Sequence, residues 1–334
     1  MGIIHALMPI VLALAAGFMV GRLLPAAVAS FMARLITPLV WLLLFLIGLE
    51  FGEVISSAQA VGSVLKTATL FTFGTTVGAG ALILIFDSKP RPSPSPVATS
   101  PAEAHAPGAP NAATDAMHPA SPPGNRPGLS AALKTLKECL IALGMVALGG
   151  LCFVLQSQWL DAHLPTPSSN TLLLLLVFLV GIDLTQVRMS RQWLTRSIIL
   201  VPILATVGSL LGGLLSGWIL GEPAIRSMQL ASGFGWFTLS SVMIGQQHGQ
   251  LYGSIALMTD LFRELIAIAL IYTIGKRHPE VAVGTAGATA LDSTLPMIKQ
   301  GCSVRDIPLA LASGFILTLI APILLSFLGG LSRP

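Results

Sequence analysis

Eight long apolar runs constrain this chain more than any other feature of its sequence, because each is long enough to cross a lipid bilayer as a helix. They lie at residues 3–24, 35–52, 62–86, 138–156, 170–187, 197–220, 253–275 and 306–330. A transmembrane helix needs about 20 mostly apolar residues. Only 10% of the residues are charged, whereas soluble proteins carry about 25%. The sequence therefore predicts an all-α, polytopic membrane protein with about eight transmembrane helices in a lipid bilayer.

Two further stretches, 227–246 and 281–298, are too rich in Gly, Ser, Thr and Ala for a plain lipid-facing helix. Non-helical backbone at membrane depth is tolerated only where protein or a water-filled cavity covers it. We therefore predict two re-entrant or broken-helix hairpins. The alternative is a pair of small-residue helices packed closely against their neighbours.

The lysine and arginine residues predict the orientation of the chain. If the N-terminus is outside and the eight helices alternate, 14 of the 18 Lys and Arg residues fall on the inner side. Cytoplasmic loops of membrane proteins carry such an excess. An additional span before Lys276 and Arg277 would move both residues outside, which favours hairpins over two extra helices. We predict a multi-pass protein of the bacterial inner membrane with both termini periplasmic.

A polar segment divides the chain into two membrane parts. Residues 88–129 are rich in Pro, Ala and Ser, a composition that cannot bury a core, so we predict a disordered cytoplasmic linker. Residues 1–87 form the first three-helix membrane repeat. Residues 130–334 contain the second membrane repeat and, after it, two units that each combine a hairpin with a helix.

The two membrane parts share a short sequence. The run around Gly48 aligns without gaps with the run around Gly181, and the same alignment places Glu50 on Asp183. The copies lie in the second and the fifth predicted spans, three helices apart along the chain, so they should face opposite ways. Such inverted repeats are a common plan of secondary transporters.

The richest cluster of ionisable residues within a predicted span is Asp260, Arg263 and Glu264. Their spacing allows all three side chains to share one helix face. Ionisable groups inside a membrane are costly and usually functional. Arg263 can neutralise only one carboxylate, so the other must bind a proton or another cation. We predict that Glu264 is this acid and that Asp260 and Arg263 hold the helix in register; a purely structural ion network is the alternative.

Two further acids lie near the ends of predicted spans. Glu50 follows ten uncharged residues and a glycine, and its repeat partner Asp183 lies near Arg188 and Arg191. Either acid could belong to a proton or substrate pathway. The alternative is that each is solvated at the membrane surface.

The predicted hairpins supply polar side chains at membrane depth. Asp292 could cap a half-helix that begins near Ser293, since Asp is a preferred N-cap residue. Such a half-helix could instead point its positive end at an anionic group of a substrate. Trp236 could pack over the methylene groups of a ligand or anchor its hairpin. The candidate hydroxyl groups are Thr238, Ser240, Ser241 and Thr294.

Other classes of chemistry find little support in the sequence. Cys139, Cys152 and Cys302 have no metal-ligand spacing, so we predict neither a metal nor a cofactor and no catalytic residues. The net charge of +4 resides in short loops between apolar runs, which is a topology signal. It does not indicate a nucleic-acid partner.

The motifs ASGFGWFTLSS, DLFRELIAI and GATALDSTLP resemble those of the LysO family of bacterial lysine exporters. The resemblance covers about residues 138–330, and the first three helices match more loosely. It implies export of L-lysine and its toxic analogue thialysine, driven by proton entry. It also implies eight spans with both ends periplasmic. By position, the functional acids of the family would be Glu264 and Glu50.

Physical reasoning fits a cationic substrate. A buried glutamate can hold either a proton or an ammonium group but not both, and this mutual exclusion is sufficient for antiport. We therefore predict a transporter that exchanges L-lysine for protons, and not an enzyme. One alternative is an intramembrane protease that uses Ser232 and His248 or two acids. Another is a channel, or an exporter of another cationic amino acid; the oligomeric state stays open.

Overall fold

The computed structural model describes residues 2–52, 58–86, 127–159, 169–185 and 196–332. Within these ranges the chain forms helices, turns and short irregular segments. The helices of the first part are α1 (Gly2–Leu23), α2 (Ala26–Arg34), α3 (Ile36–Glu50), α4 (Ala58–Phe86), α5 (Pro127–Trp159), α6 (Ser169–Leu184) and α7 (Arg196–Leu220). Those of the second part are α8 (Ala224–Leu230), α9 (Phe237–His248), α10 (Gln250–Ile274), α11 (Pro279–Ala286), α12 (Leu295–Gly301) and α13 (Ile307–Leu331).

The helices have the length and surface of membrane spans. Among the described residues, four segments are long and apolar enough to cross a bilayer: Ala27–Leu49, Ala60–Phe86, Arg196–Leu220 and Ile307–Leu331. Shorter apolar helices lie in α1, α5 and α6. Large apolar side chains such as Leu23 and Trp218 are exposed, as expected for a surface in contact with lipid. The prediction of an all-α, polytopic membrane protein is confirmed.

A helix or helix pair occupies each of the eight predicted spans, but some boundaries differ. The span predicted at 35–52 begins earlier, at Ala26, and breaks at Leu35. Pro38 explains the break, because a proline ring clashes with the carbonyl group four residues before it. The helix predicted at 138–156 begins at Pro127, so the last residues of the proposed 88–129 linker are helical. The rest of that linker lies outside the described residues.

Helices of the first predicted repeat pack mainly against helices of the second. The first helix of one repeat packs against the second helix of the other, as α1 does against α6 and α5 does against α3. The third helices, α4 and α7, pack against each other. The interfaces are close: a Cβ atom added at Gly17 would lie 2.0 Å from the carbonyl oxygen of Phe178, and one at Gly48 would lie 2.2 Å from that of Val146. Glycines at such positions let helix backbones approach each other.

The order of these contacts gives the direction of each helix. Gly17 lies against Phe178 and Gly21 lies against Ile182, so α1 and α6 run in the same direction. In contrast, Gly74 lies against Gly212 and Gly78 lies against Gly208, so α4 and α7 run in opposite directions. This alternation is the one expected of two three-helix repeats with inverted orientation.

Two interrupted helical hairpins pack beside α10, and their open ends lie at opposite ends of that helix. In the first hairpin (residues 224–248), Gln229 of α8 hydrogen-bonds to Gln247 of α9, so the two arms lie side by side. Gly249, with a φ of 90°, then leads directly into the start of α10. The second hairpin (residues 279–301) ends where α10 ends, because a Cβ atom at Gly275 would lie 3.0 Å from the carbonyl oxygen of Gly301.

The interrupted tips of the two hairpins meet in the protein interior. The Ala288 N–H donates a 2.9 Å hydrogen bond to the carbonyl oxygen of Phe234. Phe234 is fully buried and has a φ of 51°, a conformation that costs a bulky residue about 1–3 kcal/mol. Gly287, with a φ of 73°, has the Phe234 carbonyl against it, and a Cβ atom there would block the contact. The polar backbone freed by each break is therefore covered by protein, as non-helical backbone at membrane depth requires.

Candidate functional site

Asp260 of α10 closes the break in the first hairpin. Its Oδ1 accepts the Gly235 N–H at 2.8 Å, and its Oδ2 accepts the Ser240 hydroxyl at 2.5 Å. Because a Cβ atom at Gly233 would lie 1.8 Å from Oδ2, only glycine leaves room for this carboxyl group. Asp260 is 2% exposed, and both of its oxygens are committed to holding the break together.

Arg263 lies between the hairpins rather than in an ion pair. Its Nε donates to the carbonyl oxygen of Thr285 at 3.2 Å, and its Nη1 donates to the Ser209 hydroxyl at 2.7 Å. The guanidinium carbon lies 5.8 Å from the centre of the Phe234 ring. Within the described residues there is no direct ion pair between Arg263 and Asp260, which differs from the pair we expected to hold α10 in register. The register is instead held by separate contacts of each side chain with the hairpins.

Glu264 faces the second hairpin. The Ser293 hydroxyl donates a 2.6 Å hydrogen bond to its Oε1. The expected cap at Asp292 is wrong, because Thr294 occupies the N-cap position of α12. The Asp292 Oδ1 instead accepts the N–H of Ser293, and its side chain remains exposed.

A cavity of about 470 Å³ opens between the hairpins and helices of both repeats. Such a volume falls within the usual range for small-molecule sites. Its acidic lining residues are Asp183 of α6, Glu264 of α10 and Asp292. Its aromatic lining residues are Trp41 of α3, Trp236 and Phe237, and its hydroxyl-bearing residues are Thr37, Thr238, Thr289, Ser293 and Thr318. The remaining wall is mostly aliphatic and comes from α2, α3, α5 and α6.

The charges of this cavity are of one sign. Its described lining includes three acids and no Lys, Arg or His. Asp183 and Asp292 are near enough for their charges to act on each other. Within the described residues, the three acids do not form a group able to hold a metal ion. The arrangement can neutralise separate positive charges on a small organic cation.

The N-terminus of α9 also borders the cavity, through Trp236, Phe237 and Thr238. The N–H groups of Phe237 and Leu239 already donate to the carbonyl oxygens of Gly235 and Trp236. Because a helix N-terminus carries a partial positive charge, the backbone at Thr238 is the feature of the cavity best suited to an anionic group.

The structure brings together part of the predicted site. Glu264, Asp292, Asp183, Trp236 and Thr238 line one cavity. Asp260, Arg263 and Ser240 lie behind it in the contacts described above. Ser241 is buried and donates to the Thr238 carbonyl, and Thr294 contacts Thr289. Glu50 ends α3, but its side chain lies outside the described residues.

Sequence reasoning missed several lining residues, among them Trp41, Thr318 and Ser293. Trp41 was hidden among the apolar residues of its span. Thr318 is a lone hydroxyl in an apolar stretch, which is a usable although weak signal. Ser293 stands beside a predicted acid, but its bond with Glu264 joins residues 29 positions apart and has no local signature.

A second polar network lies at the open end of the first hairpin. His248 Nε2 lies 2.7 Å from Gln229 Oε1 and 3.3 Å from the Ser332 hydroxyl. The hydroxyl of Ser232 donates to the Gln229 carbonyl oxygen at 2.7 Å. Ser232 and His248 therefore bond to other groups, and the structure gives no support to a serine–histidine pair.

Comparisons with known proteins converge on one family. The family model for "Lysine exporter LysO" matches residues 141–329, more than half of the chain. The chain is 38% identical over 203 residues to "Lysine exporter LysO" of Escherichia coli K12, a match covering 60% of this chain and 65% of that protein. It is 35% identical over 189 residues to a "Putative lysine exporter" of Haemophilus influenzae, covering 56% of this chain and 93% of that protein.

The match to the E. coli relative thus spans somewhat less than two thirds of that protein's length. No solved structure matches the chain. The matched region contains both hairpins, α10 and all three acids of the cavity. The resemblance seen in the sequence motifs is confirmed: the chain belongs to the lysine exporter LysO family.

Proposed function

We propose that the protein exports L-lysine, and its analogue thialysine, from the cytoplasm in exchange for protons. The observation that carries the proposal is the cavity whose described lining contains three acids and no basic residue. Two relatives bear names that describe lysine export, which supports lysine as the cation. Lysine carries two ammonium groups and one carboxylate, so it presents more positive than negative charge to this site.

Glu264 is the exchange site in this proposal. It is 3% exposed and accepts a hydrogen bond from Ser293. A buried carboxylate is costly unless it is paired with a positive charge or a proton. In this proposal Glu264 binds an ammonium group or a proton, and each must leave before the other binds. Asp183 and Asp292 face the remaining positive charge of the substrate.

The carboxylate of lysine is held at the N-terminus of α9, beside Thr238. Trp236 and Trp41 cover the methylene chain of the substrate. Because the two hairpins enter from opposite ends of α10 and meet at their tips, movement of one hairpin relative to the other would open the cavity to one side at a time. Such alternating access is the mechanism that inverted repeats serve.

The driving force depends on the number of protons exchanged. One proton for one lysine cation moves no net charge, so the pH difference alone drives that exchange. Each additional proton moving inward adds about 2.3 kcal/mol per 100 mV of membrane potential.

The proposed location is the bacterial inner membrane, with both termini periplasmic. Single cysteines introduced at residue 2 and residue 332, after replacement of Cys139, Cys152 and Cys302, test this orientation. We expect both to react with a membrane-impermeant thiol reagent added to intact spheroplasts. A cysteine at position 277 should react only after lysis; the reverse pattern would overturn the proposed topology.

Transport by the purified full chain in proteoliposomes tests the function. We expect labelled lysine to exchange across the membrane, and a pH gradient to drive its accumulation on the acidic side. Labelled lysine that equilibrates without any response to the pH gradient would indicate a channel. A complete lack of lysine movement would reject the proposal.

A further inference from the structure

The described lining of the cavity proposed for lysine has three acidic side chains that can bind positive charges and no basic side chain that can bind a negative charge. Asp183, Glu264 and Asp292 come from three different elements and line it together. Within the described residues these acids are not grouped as a metal site would require. Their place on three elements around one cavity suits a ligand that carries more than one positive charge.

A buried arginine lies behind the cavity wall and is not part of it. Arg263 is 1% exposed and does not line the cavity. Two of its nitrogens donate to Thr285 and Ser209, and its Nη2 is buried without a hydrogen-bond partner among the described residues. Within the described lining, a carboxylate in the cavity therefore meets the partial positive charge at the start of α9 and no Lys, Arg or His side chain.

The walls between the acids suit an unbranched hydrocarbon chain. Trp41, Trp236 and Phe237 provide aromatic faces, and Leu44 and Val180 provide aliphatic surface. Aromatic rings also attract ammonium groups through their π faces. Nothing in this surface distinguishes a chain that ends in CH–COO⁻ from one that ends in CH₂.

We infer that the same cavity also binds and exports unbranched aliphatic diamines, with 1,5-diaminopentane as the best fit. In this molecule five carbons separate the two nitrogens, as in lysine, and the carboxylate is missing. The inference rests on the proposed transport function and extends its substrate class from diamino acids to diamines. Selection acts on the two ammonium groups, and the carboxylate is a secondary feature.

The expected order of ligands follows from these contacts. The interaction of an anion with a helix N-terminus contributes modestly, so loss of the carboxylate should weaken binding by about thirtyfold at most. Loss of one ammonium group removes a charge pair between the ligand and an acid of the cavity, which should weaken binding by about a hundredfold or more. Lysine should therefore bind best, 1,5-diaminopentane next, and 2-aminohexanoate, which lacks the terminal ammonium group, far more weakly.

The experiment uses the full chain in proteoliposomes, with the membrane potential clamped at zero because the diamine carries one more positive charge than lysine. Exchange of labelled lysine is measured against increasing 1,5-diaminopentane or 2-aminohexanoate, and labelled diamine is then followed directly. We expect the diamine to compete and to be transported. We expect Glu264→Gln to abolish transport of both lysine and the diamine, and Glu222→Gln, which changes an acid outside the cavity, to leave both intact.

The outcomes separate this inference from the proposed function. If labelled lysine exchanges but the diamine neither competes nor moves, the inference is wrong and lysine transport stands. Stronger competition by 2-aminohexanoate than by the diamine would also overturn it, because the carboxylate would then dominate recognition. If labelled lysine itself does not exchange, the proposed function fails.

Discussion

The two hairpins meet tip to tip, yet each uses a carboxyl group of α10 differently. In the first hairpin, Asp260 binds Gly235 and Ser240, and both of its oxygens are occupied. In the second hairpin, Ser293 bonds to Glu264 while Glu264 and Asp292 border an open cavity. The first tip is closed by its acid, whereas the acids at the second tip line the cavity.

Burial alone does not separate the proposed exchange residue from the residue that closes the first hairpin. Asp260 and Glu264 are 2% and 3% exposed, and they lie one helical turn apart. The two acids differ in the groups that their carboxyl oxygens contact. The Asp260 carboxyl is fixed by a backbone N–H and a hydroxyl group, so its loss should affect folding. Glu264 lines the cavity and is the proposed exchange site, so its loss should affect transport.

Glu264→Gln is the substitution expected to have the largest effect on transport, and it tests the difference between the two acids. We expect lysine transport to fall by about 100-fold or more, because the amide can hold neither an ammonium group nor an exchangeable proton. The amide carbonyl can still accept the Ser293 hydroxyl, so the melting temperature should change by no more than about 2 °C. Transport assays and thermal unfolding in detergent measure the two effects. Glu222→Gln is the matched control, since Glu222 pairs with Arg226 outside the cavity.

Replacement of Asp260 should show the opposite profile. Asp260→Ala leaves the Gly235 N–H and the Ser240 hydroxyl without their acceptor, which should cost about 3 kcal/mol of folding free energy. The yield of folded protein and its melting temperature should both fall. Asp260→Asn, whose amide oxygen can accept one of these bonds, should lose less stability. An Asp260→Ala protein with normal stability and absent transport would contradict the structural role.

The two serines that contact these acids provide a smaller and closely matched test. Ser240→Ala removes the hydrogen bond to Asp260 and should lower stability by about 1.5 kcal/mol. Ser293→Ala removes the hydrogen bond to Glu264 and should lower transport by about tenfold with little change in stability. Each variant serves as the control of the other. If both change stability equally and leave transport unaltered, the two hairpins do not differ as described.

Much of the fold was predictable because its signals are local. Apolar length gave the eight spans, and the polar, glycine-rich composition gave the two hairpins. The break at Leu35 could also have been read from Pro38. The separate roles of Asp260 and Glu264 could not be predicted, since their spacing places both on one side of α10. Only the hairpins packed against that helix decide which acid meets Ser240 and which meets Ser293. The same holds for Arg263, whose partners Ser209 and Thr285 are distant in sequence.

The most direct test of the account is a measurement of proton movement caused by lysine. Proteoliposomes that contain the full chain and an internal pH indicator are held at zero membrane potential, and lysine is added outside. Inward lysine movement should expel protons and raise the internal pH. The rate should saturate with lysine and disappear in the Glu264→Gln protein. Lysine entry without a pH change, or a Glu264→Gln protein that couples normally, would contradict exchange at this carboxyl group.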